Sequence, residues 1–186
     1  MKRSFDLLVA LIALIFLLVP LGLIALVVRV TSQGPIIYWS DRVGQYNKIF
    51  KMPKFRTMRD QTPEVATHLI NNPKPFLTPV GSFLRKFSFD ELPQLWSIVV
   101  GSMSFVGPRP ALFNQDDLNE LRTEKGIHNL IPGLTGWAQV NGRDDLTTLQ
   151  KVELDVEYMR RKSFLFDAYI LWLTILKVAD SDDVSF

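Results

Sequence analysis

The hydrophobic pattern divides the chain into one long apolar run and a series of shorter, interrupted segments. Leu7 to Val28 carries no charged residue and is about the length that crosses a bilayer as a helix. Lys2 and Arg3 precede it and Arg29 follows it. A secretory signal would have such a basic start, but the run is too long and no small-x-small cleavage site precedes Arg29. Two readings stay open on pattern alone, a spanning helix and a re-entrant one. Pro20 sits mid-run with Gly22 just beyond. A proline there removes the bond to the Phe16 carbonyl and clashes with it, which favours a bend. Basic residues on both flanks favour two cytoplasmic ends. A helix that enters, bends at Pro20 and returns satisfies both features.

Beyond the run the pattern predicts short elements. Thr31 to Pro35 is a turn, Ile36–Trp39 a strand, Val43–Asn47 a connecting loop and Ile49–Met52 the partner strand, ended by Pro53. Lys54 and Arg56 share a side if the chain stays extended. Thr62-Pro63-Glu64 opens a helix that the Asn71–Pro75 cluster stops. Thr78-Pro79 opens another, with Val80, Phe83, Leu84 and Phe87 on one face. A helix follows Asp90, carrying Leu92, Leu95, Trp96 and Val99, and Gly101 ends it. Asn114 caps a polar helix to Lys125 that Gly126 closes. Asn141-Gly142 signals a hairpin turn. Thr147–Lys162 is helical, with Glu157 and Arg161 one turn apart. Phe164–Ala179 is apolar almost all round but short for a span, so it is a core helix or lies in the membrane interface.

Composition narrows the chemistry. With 186 residues the chain holds one domain, with room for an appendage. The absence of cysteine excludes disulfides and thiolate metal sites. His68 and His128 are the only imidazoles and lie far apart, which argues against zinc. The net charge is only +2, but Lys48, Lys51, Lys54, Arg56 and Arg59 crowd one segment and Arg160-Arg161-Lys162 another. A solvated face and contact with anionic lipid or phosphate are both compatible with such clusters. No basic-aromatic motif accompanies them, so nucleic acid is not an expected partner.

The stretch Ser88-Phe89-Asp90-Glu91-Leu92-Pro93-Gln94 stands out. Ser88 and Glu91 have capping-box spacing. If Asp90 is instead the N-cap, Pro93 falls harmlessly in the first turn. Both carboxylates then lie at the positive end of a helix dipole. There a carboxylate can be a mere cap, a nucleophile, or a ligand for a hard cation. In Pro108-Arg109-Pro110, two prolines fix the backbone around one guanidinium. Carboxylates for a nucleophile and a metal, cations for phosphates and a preceding membrane segment together suit phosphoryl transfer.

The chain resembles the bacterial sugar transferases, the monotopic polyprenyl-phosphate phosphoglycosyl transferases. The matching stretches are Gly34-Pro35 with Arg42-Val43-Gly44, Lys54–Met58, Ser88–Leu95, Met103–Pro110, Pro132–Arg143 and Glu153-Leu154-Asp155 with Tyr158. They occur in the family's order and cover nearly the whole chain. The resemblance implies transfer of a sugar 1-phosphate from a UDP-sugar to polyprenyl (undecaprenyl) phosphate, releasing UMP. This is the first membrane step in building a glycoconjugate. It implies that Asp90 attacks the phosphate next to the sugar and forms a covalent phosphosugar, and that Asp90 and Glu91 hold Mg²⁺. Arg109, with Pro110, grips phosphate; Lys54, Arg56 and Arg143 lie near the nucleotide-sugar site, and Asp155 supports it. It implies a mostly helical α+β fold with a small β-hairpin element and interfacial amphipathic helices around a compact active site. Residues 1–30 form the re-entrant membrane helix and residues 31–186 the catalytic domain, on the cytoplasmic face of the bacterial inner membrane. Anionic lipids are expected neighbours, a homodimer is compatible with it, and the size suggests the minimal catalytic form. The chain departs from the family pattern at Val19, where serine commonly precedes the proline. It departs again at Val100 and Ser102, where lysine and aspartate are frequent, and at Pro53, where an aromatic residue is common. Two rivals are a membrane-bound nucleotide-sugar diphosphate hydrolase and a non-catalytic assembly subunit.

Overall fold

The computed structural model of the protein describes residues 2–59, 62, 74–142 and 145–179. The apolar run forms the long helix α1, Lys2–Thr31, which is assigned as helix through Pro20. Thirty residues at the helical rise extend about 45 Å. One side of α1 carries Leu8, Ile15, Phe16, Leu18, Val19, Leu23 and Leu26, all exposed.

The other side of α1 is fastened to the rest of the chain at both ends. Near the start, Ala10, Ala13, Leu14 and Leu17 pack with Met52, Leu95, Ile98 and Met103. Lys2 pairs with Asp167 and donates to the Val106 carbonyl at 3.1 Å. Arg3 donates to the carbonyls of Ile98 and Val99, and the buried Asp6 accepts from Ser104 Oγ at 2.7 Å. Near the end, Leu21, Ile24, Ala25 and Val28 pack with Phe55 and Leu84. There Arg56 donates to the carbonyl and hydroxyl of Ser32, both at 2.8 Å.

An antiparallel hairpin follows, β1 (Ile37–Val43) against β2 (Ile49–Phe55), with Ile37 opposite Phe55 and Val43 opposite Ile49. Both strands are longer than the pattern predicts. Pro53 lies inside β2 opposite Trp39 rather than ending it. In a two-stranded ribbon every strand is an edge, where proline is tolerated.

The short helix α2 (Gly81–Lys86) leads into a 3₁₀ turn, Phe89–Gln94, and then α3 (Leu95–Val100). Gly101 stops α3 in the left-handed conformation expected of it. Next come β3 (Ser104–Val106), α4 (Asp116–Glu124), a 3₁₀ turn at Ile127–Asn129 and β4 (Gly133–Thr135). β3 and β4 pair in parallel, a second small sheet that periodicity does not announce.

The chain closes with α5 (Trp137–Val140), α6 (Thr148–Arg161) and α7 (Phe164–Ala179). Thr147 forms a capping box with Gln150 at the start of α6, and the expected Glu157–Arg161 pair is present. Asn141-Gly142 terminates α5 instead of turning a hairpin. Gln115, not Asn114, precedes α4. The helix expected from Thr62 lies almost wholly outside the described residues.

The result is a mostly helical α+β fold. Phe166 and Ile170 of α7 join the core, while Phe164, Leu165, Trp172, Ile175 and Leu176 form an exposed apolar side. A second apolar surface of this kind, beside that of α1, exceeds the scattered exposure normal for a soluble protein.

Candidate active site

The site is built around a strut, Gly107 to Ala111. Gly107 donates to the Thr135 carbonyl and Gly133 to the Pro108 carbonyl, each at 2.9 Å. The approach admits no side chain: a Cβ on Gly133 would lie 2.1 Å from the Gly107 nitrogen. Pro108 and Pro110 fix their own φ angles. Arg122 donates to the Arg109 carbonyl at 2.8 Å and Arg42 to the Pro110 carbonyl at 3.2 Å. Val43 donates to the Ala111 carbonyl at 3.0 Å. With the backbone held on both sides, the Arg109 side chain projects from a fixed base.

It meets the Asp90–Glu91 pair. Ser88 does not form the expected capping box: it sits in the left-handed region at φ 54°, and its side chain caps nothing. Asp90 is likewise not an N-cap but lies inside the 3₁₀ turn. For a residue with a Cβ the left-handed conformation costs about 1–2 kcal/mol. Such local strain is typical of functional segments. The turn packs on β2 and brings Glu91 to Lys54. Glu91 Oε1 accepts from Lys54 Nζ at 2.8 Å and from Arg109 at 2.6 Å. Its Oε2 takes a longer bond of 3.4 Å from the same guanidinium. Glu91 is 12% exposed and Asp90 only 6%.

Burial pushes the Asp90 carboxyl above the usual range; Lys54 opposes the rise, the Glu91 charge adds to it, and Arg85 and Arg109 oppose it. Burial also lowers the Lys54 ammonium, with Glu91 restoring part of its basicity. Arg42 is drawn down to about 10 by burial and by the neighbouring Arg109. Four cationic side chains thus converge on two poorly hydrated carboxylates. Little reorganisation is needed for such a cluster to receive a polyanion.

The expected site residues separate into two groups. Asp90, Glu91, Lys54 and Arg109 come together, with the Pro110 carbonyl holding Arg42 beside them. Arg56 does not join them: it is 3% exposed and bonded to the end of α1. Asp155 is 1% exposed and accepts from Arg122 at 3.0 and 2.6 Å. Because Arg122 also holds the Arg109 carbonyl, Asp155 acts on the strut at one remove. Arg143 lies outside the described residues. Arg42 and Arg122 escape a reading of site residues from sequence. Arg42 had a signal, since it begins the Arg42-Val43-Gly44 stretch; Arg122 is one charge on a polar helix and had none. Among the described residues no group of three or more acidic or imidazole side chains gathers as a metal cage.

The Arg122–Asp155 pair is buried, and removing one partner leaves the other charge uncompensated. Arg122→Met is expected to cost roughly 3–5 kcal/mol in urea denaturation. The double variant Arg122→Met/Asp155→Leu should recover most of it. An unchanged midpoint in the single variant would show that the pair does not hold the strut.

The family model for bacterial sugar transferases matches residues 1–181. The chain is 42% identical over 190 residues to the uncharacterized sugar transferase EpsL of Bacillus subtilis, covering 99% of this chain and 90% of that protein. It is 39% identical over 190 residues to the exopolysaccharide production protein ExoY of Sinorhizobium fredii, covering 94% of this chain and 83% of that protein. It is also 40% identical over 185 residues to the UDP-glucose:undecaprenyl-phosphate glucose-1-phosphate transferase of Escherichia coli. That alignment takes in 95% of this chain but 40% of the longer protein. With the profile matched almost end to end and relatives aligned over most of their own length, the chain belongs to the bacterial sugar transferase family.

Proposed function

We propose that the protein transfers a sugar 1-phosphate from a UDP-sugar to undecaprenyl phosphate, through a covalent phosphosugar on Asp90. The observation that carries this reading is the buried Asp90 beside the half-buried Glu91, with Lys54 and Arg109 converging on the pair. The relative from Escherichia coli is named for this reaction with UDP-glucose, and one from Erwinia amylovora is a UDP-galactose-lipid carrier transferase. UDP-hexoses are therefore the first donors to test.

An oxygen of Asp90 attacks the phosphorus that bears the sugar. Its bond to the bridging oxygen breaks, and UMP leaves with the electron pair. A phosphate oxygen of the lipid acceptor then attacks the same phosphorus, displacing the Asp90 carboxylate and leaving a diphosphate-linked sugar. The atoms balance without oxidant or reductant. Lys54, Arg109 and Arg42 face the charge that builds on the phosphoryl oxygens, the main task in such a transfer. Desolvation leaves Asp90 with little water to shed before it attacks.

Asp90 and Glu91 also suit Mg²⁺, which takes one or two carboxylates and fills its other positions with water and substrate phosphate. Bound there, Mg²⁺ would offset the diphosphate charge and ease departure of UMP.

The reading also places α1 in the membrane and the remainder of the chain on its cytoplasmic face. α1 is tied to one body through Lys2, Arg3 and Asp6 at one end and Val28 and Ser32 at the other. A spanning helix would put these two tethered ends on opposite faces of the bilayer and draw the polar residues between them into lipid. A helix whose two ends stay on one face avoids that cost and keeps Lys2, Arg3 and Arg29 together. The exposed sides of α1 and α7 supply the apolar surface it needs.

Turnover is checked by UMP release from UDP-glucose with undecaprenyl phosphate. Asp90→Asn should lower it on the order of 10³-fold or more, since the amide cannot attack phosphorus. Release within about tenfold of wild type would rule out Asp90 as nucleophile. Sustained release without acceptor would instead identify a hydrolase.

Topology is checked by labelling single cysteines in this cysteine-free chain. Ser4→Cys and Gln33→Cys should both react only from the cytoplasmic side. Periplasmic labelling of Ser4→Cys would establish a spanning helix.

A further inference from the structure

Three phenylalanines gather on the segment that leads into Asp90. Phe83 on α2 and Phe87 just past its end have ring centroids 5.1 Å apart. Phe89 completes the group, 5.7 Å from Phe87 and 6.1 Å from Phe83. All three separations fall within the range of favourable aromatic pairs. Yet the group is not core: Phe83 is 57% exposed and Phe89 38%.

Ser88 makes the group possible. Were α2 to continue through residue 89, Phe89 would lie roughly 120° round its axis from Phe83. The left-handed Ser88, at φ 54°, breaks the helix between Phe87 and Phe89, and the Phe89 ring falls back against the other two. That conformation is unfavourable for a residue with a Cβ. What it secures is neither a side-chain cap nor a buried core, but a ring surface left open.

That surface joins the long apolar helix to Asp90. Val80 and Leu84, on α2 and just before it, pack with Leu21, Ile24 and Val28 of α1. At the other side, Phe89 directly precedes the buried Asp90 on the 3₁₀ turn. The last turn of α2 carries Arg85 and Lys86. Lys86 Nζ stands 5.9 Å from the centre of the Phe87 ring, and Arg85 is near enough to Asp90 to act on its charge. An apolar face beside α1, with cations at its edge toward Asp90, matches a ligand that has an apolar chain and one anionic end.

We propose that the face formed by Phe83, Phe87 and Phe89 seats the first isoprene units of the polyprenyl phosphate acceptor and guides its phosphate to Asp90. The inference rests on the transfer reading above and adds the residues that hold the acceptor. An acceptor whose phosphate oxygen attacks a phosphosugar on Asp90 must lay the start of its chain within a few side chains of Asp90. Ordinary phospholipid has no need to approach Asp90 at all. The rings therefore serve the acceptor chain, and the exposed side of α1 serves the bulk lipid.

The test uses the full-length protein in detergent with a farnesyl phosphate that carries a diazirine on its chain, mapped by peptide mass spectrometry. Cross-linking within residues 81–91, suppressed by undecaprenyl phosphate and not by dipalmitoyl phosphatidic acid, is expected. Phe83→Ser, at an exposed position, should raise the KM for undecaprenyl phosphate about tenfold or more, and Phe83→Leu should restore most of that loss. The KM for UDP-glucose should stay within about twofold of wild type in both. Cross-links elsewhere, equal suppression by phosphatidic acid, or an unchanged acceptor KM in Phe83→Ser overturns the assignment, while UDP-glucose turnover leaves the proposed reaction standing. Cross-linking competed as expected, in protein that releases no UMP, supports the acceptor face and overturns the reaction alone.

Discussion

Glu91 is the residue on which the arrangement depends. Its carboxylate, itself largely shielded from water, receives the half-buried Lys54 from the hairpin and the partly exposed Arg109 from the strut. Desolvating such a group of charges costs about as much as their attraction returns, so a buried ion cluster is weak evidence for stability. Once assembled, however, it is hard to alter singly, because losing one partner strands the others. The cluster therefore fixes the relative positions of three segments far apart in sequence. The close approach of Gly107 and Gly133 then holds the strut against β4. The Asp155–Arg122–Arg109 chain holds it from the other side. Asp90, one residue away, inherits a desolvated position among cations without itself making the clamp.

The same economy governs α1. A helix this apolar would leave the domain unless something countered the pull of lipid. Polar bonds at its first turns and at Ser32 do so at both ends, and small residues such as Ala10, Ala13 and Ala25 let the helix lie close. The long apolar helix and the candidate site share parts: Met52 and Phe55, flanking Lys54 on β2, pack against the two halves of α1. Displacing α1 would disturb the strand that presents Lys54.

Local chemistry made much of this legible. Helix α7 runs over the residues its apolar composition predicts, Gly101 and Gly126 end their helices, and the Asp90–Glu91 pair meets Lys54 and Arg109. The misses share a cause, tertiary context overriding a local signal. Ser88 gives up its cap because the turn is pinned by packing on β2. Asn141-Gly142 needs strands on both sides to turn a hairpin, and here a helix precedes it. Arg56, two residues after Lys54, instead bonds the Ser32 carbonyl and hydroxyl at the end of α1, contacts that strand alternation cannot anticipate. Arg122 was invisible since a buried arginine on a polar helix looks like any solvated charge until its partner, Asp155 on α6, is known.

The proposed reaction requires Asp90 to be a nucleophile rather than a buried structural carboxylate. The most direct measurement is the intact mass of the protein after mixing with a UDP-sugar that it turns over, in the absence of lipid acceptor. A gain of one sugar phosphate is expected, mapped by peptide sequencing to Asp90, lost on adding undecaprenyl phosphate and absent in Asp90→Asn. An unmodified mass in a rapidly quenched sample without acceptor, from protein that turns over once acceptor is supplied, or a gain mapped to another residue, would contradict it.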